Sequence, residues 1–277
     1  MLSYRHAFHA GNAADVFKHA VLLHSLDYLK RKEAPFLVVD THAGAGFYSL
    51  TGGYAAQNRE WERGVGRILK REAPPPLLAR YAALAGEALA GDGRYPGSPA
   101  LIQKLLRSQD RGVCFELHPA DFALLAETLK PDRRFRALRE DGLRGLKALL
   151  PPPSRRGCVF VDPPYEMRSD YAAVPKSLAE ALSRFSTGLY IVWYPLLKPA
   201  PGKPEASGAS LRETLLGLYS GNRFAVELFL PEKDSEKRMF GSGLAIYNPP
   251  FTLREALEES LPALAELLGG WQWRWYS

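Results

Sequence analysis

Short apolar runs alternate with amphipathic stretches along most of this chain. The runs that predict buried strands lie at Phe36–Asp40, Arg111–Glu116, Cys158–Val161 and Leu189–Tyr194. Between them, apolar residues recur at helical spacing, as they do over residues 119–130. Strands that alternate with helices in this way are typical of a parallel sheet covered by helices. The pattern therefore predicts an α/β protein with a Rossmann-like sheet.

The last part of the chain predicts a hairpin, a helix and a final strand. Phe224–Leu230 and Leu244–Tyr247 predict the hairpin, and an amphipathic helix is predicted over residues 252–268. Three tryptophans then alternate with polar residues over residues 271–275, which indicates a strand with one indole face. Because large aromatic side chains tend to be buried, we interpret these indoles as a cover for the sheet rather than as a platform for bases.

A helical insert is predicted between the first two strands of the sheet. The dinucleotide-binding pattern places an acid about 20 residues after the glycine turn. In this chain the next predicted strand that ends in an acid ends at Glu116, which is much farther downstream. A helical stretch over residues 77–89 lies in between. We therefore predict three parts, namely an N-terminal segment with the first strand, a small and mostly helical subdomain, and the rest of the sheet, at residues 1–50, 51–98 and 99–277.

The segment Asp162-Pro163-Pro164-Tyr165 follows a predicted strand directly and suits chemistry on the amino group of a flat base. The exocyclic amine of adenine attacks only when its nitrogen becomes more tetrahedral, and acceptors at fixed positions favour that change. Asp162 offers a carboxylate oxygen, and Pro163 offers a backbone carbonyl in a turn that the prolines stiffen. Tyr165 offers a face on which a base can stack. The same turn is also consistent with a Pro-rich strand end whose tyrosine packs in the core.

A second pattern joins a predicted strand to a glycine turn, Asp40-Thr41-His42-Ala43-Gly44-Ala45-Gly46. Glycines permit the tight turn and the close approach that a nucleotide cofactor needs beyond the carboxyl end of a strand. Ser49 stands where the dinucleotide fingerprint has its third glycine, so an adenosine cofactor other than a nicotinamide dinucleotide fits better. We predict that Phe47–Leu50 begins a helix.

Two acids at later strand ends complete the predicted cofactor site. Glu116 can accept hydrogen bonds from both hydroxyls of a ribose. Asp141, which we place at the end of a strand that begins at Phe135, can accept one from the amine of the cofactor's adenine.

Composition adds a basic excess, with a net charge of +6 over 277 residues and a pI near 9.2, which favours an acidic partner. Two arginine-rich clusters are candidate contacts for RNA phosphates, although ordinary solvated helix faces have the same composition. The first cluster comprises Arg133, Arg134, Arg136, Arg139, Arg144 and Lys147, and the second comprises Arg59, Arg63, Arg67, Lys70 and Arg71.

Export, membrane and metal-binding patterns are absent from the sequence. There is no charged start followed by an apolar run and no apolar span of about 18 residues, so we expect a cytoplasmic protein without membrane contact. Cys114 and Cys158 fall in predicted strands and indicate reduced core residues. Neither cysteines nor clustered carboxylates accompany the four N-terminal histidines, so we expect no metal site. These histidines are His6, His9, His19 and His24.

Several of these motifs together resemble those of the bacterial 23S ribosomal RNA adenine-N6 methyltransferases, which use S-adenosylmethionine. The resemblance begins with Met1–Asn12 and continues through Asp15–His19, the glycine turn, Tyr95–Pro99 and Asp162–Glu166. It implies a Rossmann-like, S-adenosylmethionine-dependent methyltransferase sheet. It also implies methylation of the N6 amine of a specific adenosine in 23S ribosomal RNA by a monomer that needs no metal.

The resemblance further implies roles for residues at matching positions. The implied contacts of S-adenosylmethionine are His19, His42, Gly44, Ser98, Glu116, Asp141, Gly142 and Asp162. The implied catalytic residues are Asp162, as proton acceptor, with Pro163 and Tyr165. The implied contacts of the RNA are Tyr4, His6, Lys18 and Tyr165. We expect Lys18 and His19 on a helix over residues 12–30 that Asn12 caps.

Three alternatives remain open from the sequence. A DNA adenine-N6 methyltransferase would use the same Asp162–Tyr165 chemistry on another nucleic acid. A non-catalytic RNA-binding protein is disfavoured because both the glycine turn and the acceptor turn are intact. A nicotinamide oxidoreductase is disfavoured because the glycine fingerprint is incomplete.

Overall fold

The computed structural model describes residues 6–52, 55–198, 208–230 and 239–277. In these residues the strands are β1 (Leu37–Asp40), β2 (Phe47–Ser49), β3 (Arg94–Pro96), β4 (Arg111–Phe115), β5 (Phe135–Leu138), β6 (Gly157–Val161), β7 (Leu189–Leu197), β8 (Arg223–Phe229), β9 (Met239–Tyr247) and β10 (Gln272–Tyr276). Eight of these described strands form one sheet in the order β10-β8-β9-β7-β6-β1-β4-β5, and β2 pairs with β3 in a separate ribbon.

Helices cover the sheet and fill the chain between β2 and β4. Over the described residues they are α1 (Ala13–Leu29), α2 (Ala55–Asn58), α3 (Val65–Leu69), α4 (Pro76–Gly91), α5 (Ser98–Leu105), α6 (Pro119–Leu129), α7 (Gly142–Leu149), α8 (Asp170–Arg184), α9 (Gly208–Gly217) and α10 (Leu253–Leu267). Short 3₁₀ turns occur at His6–Phe8 and Glu60–Arg63. Of the helices in the described ranges, none combines the length and the apolar character needed to cross a membrane.

The parallel half of the sheet places the site. β1 lies between β4 and β6 and is parallel to both, so Leu37 is in register with Arg111 on one side and Gly157 on the other. The chain moves outward from β1 through β4 to β5 and then returns to the other side with β6 and β7. Such a reversal leaves a crevice at the carboxyl ends of the central strands, where open α/β sheets bind ligands. The predicted α/β, Rossmann-like fold is confirmed.

The other half of the sheet is antiparallel. β9 pairs with β7 and β8, and β10 adds an edge strand to β8, so the predicted hairpin and the final strand are confirmed. The prediction that all three indoles cover the sheet is only partly right. Trp275 packs edge-on against Phe224, whereas Trp273 remains 39% exposed.

Helix α1 is buried around most of its circumference, because the sheet, α4, α5 and α10 all pack against it. Asn12 caps its start as predicted, since its side-chain oxygen accepts a hydrogen bond from the N–H of Asp15 at 3.0 Å. Three ionisable side chains lie within this buried surface, namely Asp15, Lys18 and His19. Burial of such groups is costly unless they are paired, which directs attention to their partners.

The prediction of a helix at Phe47–Leu50 is wrong, because Phe47–Ser49 forms β2 and pairs antiparallel with β3. The reason is tertiary. Tyr48 reaches back under the glycine turn, where its hydroxyl accepts the N–H of Ala45 at 3.0 Å. A Cβ on Gly44, which has a φ of +62°, would lie 2.1 Å from that hydroxyl, so only glycine fits there. Between β2 and β3 the described residues are mostly helical. The domain boundaries at 51 and 98 stay a prediction.

A buried ion pair fixes the start of β1. The Asp110 carboxylate is fully buried, accepts the N–H of Phe36 at 3.2 Å and pairs with the Arg107 guanidinium at 2.9 Å. Arg107 also donates to the carbonyl of Lys32 at 2.9 Å, in the loop between α1 and β1. The pair therefore joins the loop before β4 to the loop before β1.

We predict that Asp110→Ala lowers the free energy of unfolding by about 3 kcal/mol, because it removes the anion that pairs with Arg107 and leaves the backbone N–H groups of Phe36 and Arg107 without their acceptor. Urea unfolding of the variant measures the loss. Glu258→Ala is the control, because it removes a pair with Arg254 in which both side chains are 54% exposed, and it should change stability by less than about 0.5 kcal/mol. Equal losses in the two variants would contradict the prediction.

Candidate active site

One cavity of about 2220 Å³ opens at the carboxyl ends of the central strands. Every predicted site residue within the described part of the chain lines it, and Tyr4 lies outside the described residues. The lining residues that the sequence predicted are His6, Lys18, His19, His42, Gly44, Ser98, Glu116, Asp141, Gly142, Asp162, Pro163 and Tyr165. The glycine turn and the Asp162–Tyr165 turn thus face one space, although their individual roles stay predictions.

A buried carboxylate organises the side of the cavity formed by α1. Asp15 is fully buried, and its oxygens contact His6 Nε2 at 3.0 Å, the Lys18 Nζ at 2.8 Å and the N–H of Gly11 at 2.8 Å. Burial alone would raise the pKa of Asp15, but the charges of His6 and Lys18 outweigh burial and hold this pKa well below its usual range. Asp15 is therefore an anion that positions both side chains.

Lys18 connects this carboxylate to the predicted catalytic turn. Its Nζ lies 2.6 Å from Oδ2 of Asp162, and the Lys18 side chain is only 5% exposed. The same Nζ lies 5.6 Å from the ring centroid of Trp193, within the range of a cation–π contact. A lysine held between two carboxylates keeps one oxygen of Asp162 occupied and leaves Oδ1 as the second acceptor of this carboxylate.

The turn after β6 is stiff and closely packed. Pro163 accepts no backbone hydrogen bond from the described residues, so its carbonyl remains available as an acceptor. Tyr165 has a φ of +50°, which is uncommon for a residue with a side chain and costs energy. Its hydroxyl donates to the carbonyl of Trp193 at 3.2 Å, and its ring packs against Tyr171. Tyr165 is 6% exposed, so stacking on a base would use only the small surface that faces the cavity.

Glu116 carries the geometry expected of a ribose-binding acid. It follows β4 directly, and its two oxygens accept the N–H groups of Gly44 at 2.9 Å and His118 at 2.6 Å. These bonds fix the carboxylate beside the glycine turn, and each oxygen retains a lone pair for a hydroxyl. Burial raises the pKa of Glu116, which is consistent with a carboxyl group partly withdrawn from water.

Asp141 is the N-cap of α7 rather than the end of β5, which corrects the sequence interpretation. Its Oδ1 accepts the N–H of Leu143 at 3.0 Å, and β5 ends at Leu138. The next residue, Gly142, lies so close to β1 that an added Cβ would be 2.2 Å from the carbonyl oxygen of Thr41. Glycine is therefore needed at position 142 because the backbone of α7 lies against the backbone that follows β1.

Two histidines face the cavity in the neutral form. Burial lowers the pKa of both His19 and His42 to about 4. His42 Nδ1 lies 2.8 Å from the hydroxyl of Thr41, and His19 Nδ1 lies 3.2 Å from the hydroxyl of Tyr95. A neutral imidazole offers one N–H donor and one acceptor, so each ring can recognise a polar ligand without carrying charge.

Sequence reasoning missed Asp15 and Trp193, which line the cavity, and Asp40, whose carboxyl group interacts with Ser98 and Asp162. Asp15 could have been found from its position one turn before Lys18 on a predicted helix. Trp193 lines the cavity from β7, and among the described residues its indole N–H is buried without an acceptor. Asp40 is fully buried at the end of β1, and its place before the glycine turn was the available signal.

The N-terminal histidines do not converge on one point. His6 contacts Asp15, His9 contacts Glu60, and His24 contacts Thr252. Within the described residues there is also no group of three histidine, cysteine or acidic side chains arranged to hold a metal ion.

The structure separates the basic residues into anchors and exposed charges. Arg134 pairs with Asp132 and donates to the carbonyl of Gln103, and Arg67 donates to the carbonyl of Leu267 at 3.1 Å. Neither predicted cluster is therefore a uniform patch for phosphates. The cationic side chains that are both exposed and in the cavity lining include Arg59, Arg63, Arg144, Lys147, Lys176 and Arg184.

Comparisons with known proteins identify relatives over nearly the whole chain. A family model described as "Ribosomal RNA large subunit methyltransferase D, RlmJ" matches residues 33–277. A "Ribosomal RNA large subunit methyltransferase J" of Haemophilus influenzae is 38% identical over 288 residues, which cover 99% of both chains. Its Escherichia coli counterpart is 42% identical over 272 residues, covering 95% of this chain and 93% of that one. A crystal structure of a Legionella pneumophila protein superposes with a TM-score of 0.88 at 34% identity, covering 97% and 98% of the two chains.

Asp40 generates a prediction about pH. Burial and the nearby Asp162 carboxylate raise the pKa of Asp40 to about 7, although Ser98 and the N–H of His42 oppose the shift. The unfolded carboxyl ionises near a pKa of about 4, so between these pH values the folded state holds an extra proton and loses stability as the pH rises. Asp40→Asn lacks this titration. The free energy of unfolding of Asp40→Asn minus that of the wild type should therefore increase by about 2–3 kcal/mol when the pH is raised from 5 to 8.

Urea unfolding of both proteins at the two pH values measures this gain. The lowered pKa values of His19 and His42 act in the opposite direction. These histidines bind a proton more readily in the unfolded chain, so the folded protein loses stability as the pH falls below about 6.5. Their effect is common to both proteins and cancels in the difference. A difference that is the same at pH 5 and pH 8 would show that Asp40 ionises normally in the folded state.

Proposed function

Because the chain belongs to the ribosomal RNA large subunit methyltransferase family RlmJ, we propose that it methylates the N6 amine of an adenosine in 23S ribosomal RNA. It is an S-adenosylmethionine-dependent ribosomal RNA methyltransferase. The observation that supports adenine N6 as the target is the Asp162–Tyr165 turn, which lines the same cavity as the glycine turn and has Lys18 on one oxygen of its carboxylate.

The residues around the glycine turn fit S-adenosylmethionine. Glu116, fixed by two N–H groups, would accept the ribose hydroxyls, and Asp141 would accept the adenine amine. The neutral His19 and His42, together with Ser98 at the start of α5, would hold the methionine end. The cavity is also lined by the carboxylate of Asp162, whose negative charge suits a cationic cofactor.

When held by Glu116, Asp141 and the glycine turn, S-adenosylmethionine would supply an activated methyl group for the amine nitrogen, and its sulfur would keep the electron pair of the broken sulfur–carbon bond. Asp162 Oδ1 and the carbonyl of Pro163 would each accept a hydrogen bond from the amine, and these two bonds would favour a tetrahedral nitrogen. Asp162 would then take the proton that the methylated nitrogen loses. Most of the rate would come from orientation, because the acceptors are held in place before the base arrives.

Lys18 has a positioning role in this proposal. Its contact with Oδ2 of Asp162 at 2.6 Å holds the carboxylate in one orientation and leaves Oδ1 for the amine. Asp15 holds Lys18 from the other side at 2.8 Å, so the lysine cannot leave without exposing a buried anion. His6, on the same Asp15, and Tyr4 would contact the RNA, with Tyr165 as the stacking surface.

The RNA would approach across the exposed cations that line the cavity. Arg63 is the last residue of the 3₁₀ turn before α3, whereas Lys147, Lys176 and Arg184 belong to α7 and α8. Cations on such different elements suit an extended polyanion, and an adenosine drawn from it would enter the cavity unstacked. We also infer a monomer that acts in the cytoplasm, where a ribosomal RNA substrate is found.

We predict that Asp162→Ala lowers kcat for methylation of unmodified 23S ribosomal RNA by about a thousandfold, because the amine loses its proton acceptor. The dissociation constant of S-adenosylmethionine should change less than tenfold, because the glycine turn and Glu116 are intact. Labelled methyl transfer and calorimetric titration measure the two quantities. Asp170→Ala is the control, since Asp170 lines the same cavity but accepts the N–H of Met167 at the start of α8.

Near-normal turnover of Asp162→Ala would refute this assignment. Equal methylation of the same sequence as DNA would favour a DNA methyltransferase, and a wild-type chain without affinity for S-adenosylmethionine would revive the RNA-binding protein.

We predict that Lys147→Glu combined with Lys176→Glu raises KM for the RNA roughly tenfold and flattens its salt dependence, because phosphate contacts are lost. The affinity for S-adenosylmethionine and the rate at saturating RNA should stay close to wild type. Arg133→Glu combined with Arg136→Glu is the matched control, because both arginines are exposed but lie outside the cavity lining. A larger effect from the control pair would contradict the prediction and would indicate that the RNA contacts the surface near β5 instead.

A further inference from the structure

We propose that Tyr81 and Tyr95 set the tautomer of His19, so that its Nε2 is a hydrogen-bond donor aimed at the carboxylate of the cofactor. This inference deepens the proposed function, since it rests on His19 holding the methionine end of S-adenosylmethionine. Both tyrosines lie in the segment 51–98 and would act as positioning residues, because they act through His19.

The three side chains form a chain of hydrogen bonds in the interior. His19 Nδ1 on α1 lies 3.2 Å from the hydroxyl of Tyr95 on β3, and this hydroxyl lies 3.0 Å from that of Tyr81 on α4. Tyr81 and Tyr95 are fully buried, and His19 is 1% exposed. In such surroundings an unpaired hydroxyl proton would cost about 1–3 kcal/mol, so the direction of each bond is constrained.

A count of donors and acceptors gives that direction. Within the described residues, the hydroxyl of Tyr81 has only the oxygen of Tyr95 as a partner, so Tyr81 must donate its proton there. Tyr95 then accepts from Tyr81, and its own proton points to the remaining partner, Nδ1 of His19. The reverse direction would leave the Tyr81 proton buried without an acceptor.

Nδ1 of His19 is therefore an acceptor and carries no proton. Burial lowers the pKa of His19 to about 4, so at neutral pH the ring holds one proton, which must be on Nε2. His19 lines the cavity, and no other hydrogen bond to its ring occurs in the described residues. The ring thus presents an N–H donor to the ligand space, whereas the other tautomer would present a lone pair.

A donor at this position discriminates between ligand groups. A carboxylate has only acceptors, so it binds an N–H and is repelled by a lone pair. Because the imidazole is neutral, this recognition adds no positive charge beside the sulfonium and ammonium groups of the cofactor. The same ribbon that carries Tyr95 pairs it with Tyr48, whose hydroxyl supports the glycine turn, so β2 and β3 would serve both ends of the cofactor site.

The tautomer can be measured directly in the full chain. Long-range ¹H–¹⁵N spectra distinguish the two ring nitrogens of each histidine, and His19→Gln identifies the His19 signals among the six histidines. The expected result without cofactor is an Nε2–H tautomer for His19 at neutral pH. An Nδ1–H tautomer, or a protonated ring, would overturn the proposal whatever the activity of the protein.

Two variants test the consequence for the cofactor. Tyr95→Phe removes the donor to Nδ1, so the second tautomer should appear and the dissociation constant of S-adenosylmethionine should rise roughly tenfold. Tyr81→Phe should have a smaller effect, because Tyr95 can still donate to His19. In both variants KM for the RNA should stay near wild type. Tyr190→Phe is the matched control, since it loses an equally buried hydroxyl that bonds the carbonyls of Ala181 and Phe185.

The outcomes separate this inference from the proposed function. Unchanged tautomer and cofactor affinity in Tyr95→Phe would overturn the inference while methylation by the wild type stands. A wild-type chain with the Nε2–H tautomer but no affinity for S-adenosylmethionine would overturn the cofactor step and the proposed function, and would support the tyrosine relay. If Tyr95→Phe does not fold, the spectrum of the wild type still decides the direction of the relay.

Discussion

Asp15 brings a lysine, a histidine and a backbone N–H to one buried carboxylate, and the arrangement of the site depends on this contact. A buried anion without partners would be severely destabilising, so the start of α1 must hold His6 and Lys18 close to it. Lys18 in turn reaches the carboxylate that follows β6. The helix and the strand end are thereby joined by charge as well as by apolar packing, and Asp162 is oriented before any ligand is present.

Charge is distributed over the cavity in two layers. Carboxyl groups lie at the strand ends, where Asp162 lines the space proposed for a cationic cofactor and Asp40 is buried close to it, while the exposed cations that line the cavity, such as Lys147 and Lys176, extend toward solvent. An RNA phosphate is attracted to the outer layer and repelled by the inner one. This separation favours binding of the RNA backbone at the opening of the cavity, with only an uncharged base entering the cavity. Burial also raises the pKa of Asp40 to about 7, which limits the negative charge of the inner layer.

The site residues at strand ends could be predicted from sequence, because parallel strands bring their carboxyl ends to one edge and each apolar run shows where it stops. Asp162 and Glu116 were found in this way. The tyrosine relay could not, since Tyr95 meets His19 across 76 residues through docking of helices that periodicity does not describe. Local pattern also failed at Phe47–Leu50, where the packing of Tyr48 beneath Gly44 decides the backbone. The anchoring of Arg134 and Arg67 could not be predicted for a similar reason, because their carbonyl partners lie far away in the chain.

The segment between β1 and β4 is consequently part of the site rather than an appendage. Its ends are held together by the pairing of β2 with β3, so the cost of closing a long insertion is limited to one short ribbon. Helix α4 packs on α1 and α10, and Leu77 donates its N–H to the buried hydroxyl of Ser260. Helix α1 carries Asp15, Lys18 and His19, so the helix that packs against the insert also lines the cavity. Any movement of the insert would therefore be transmitted to His19 through Tyr95 and to the other cavity-lining side chains of α1 through α4.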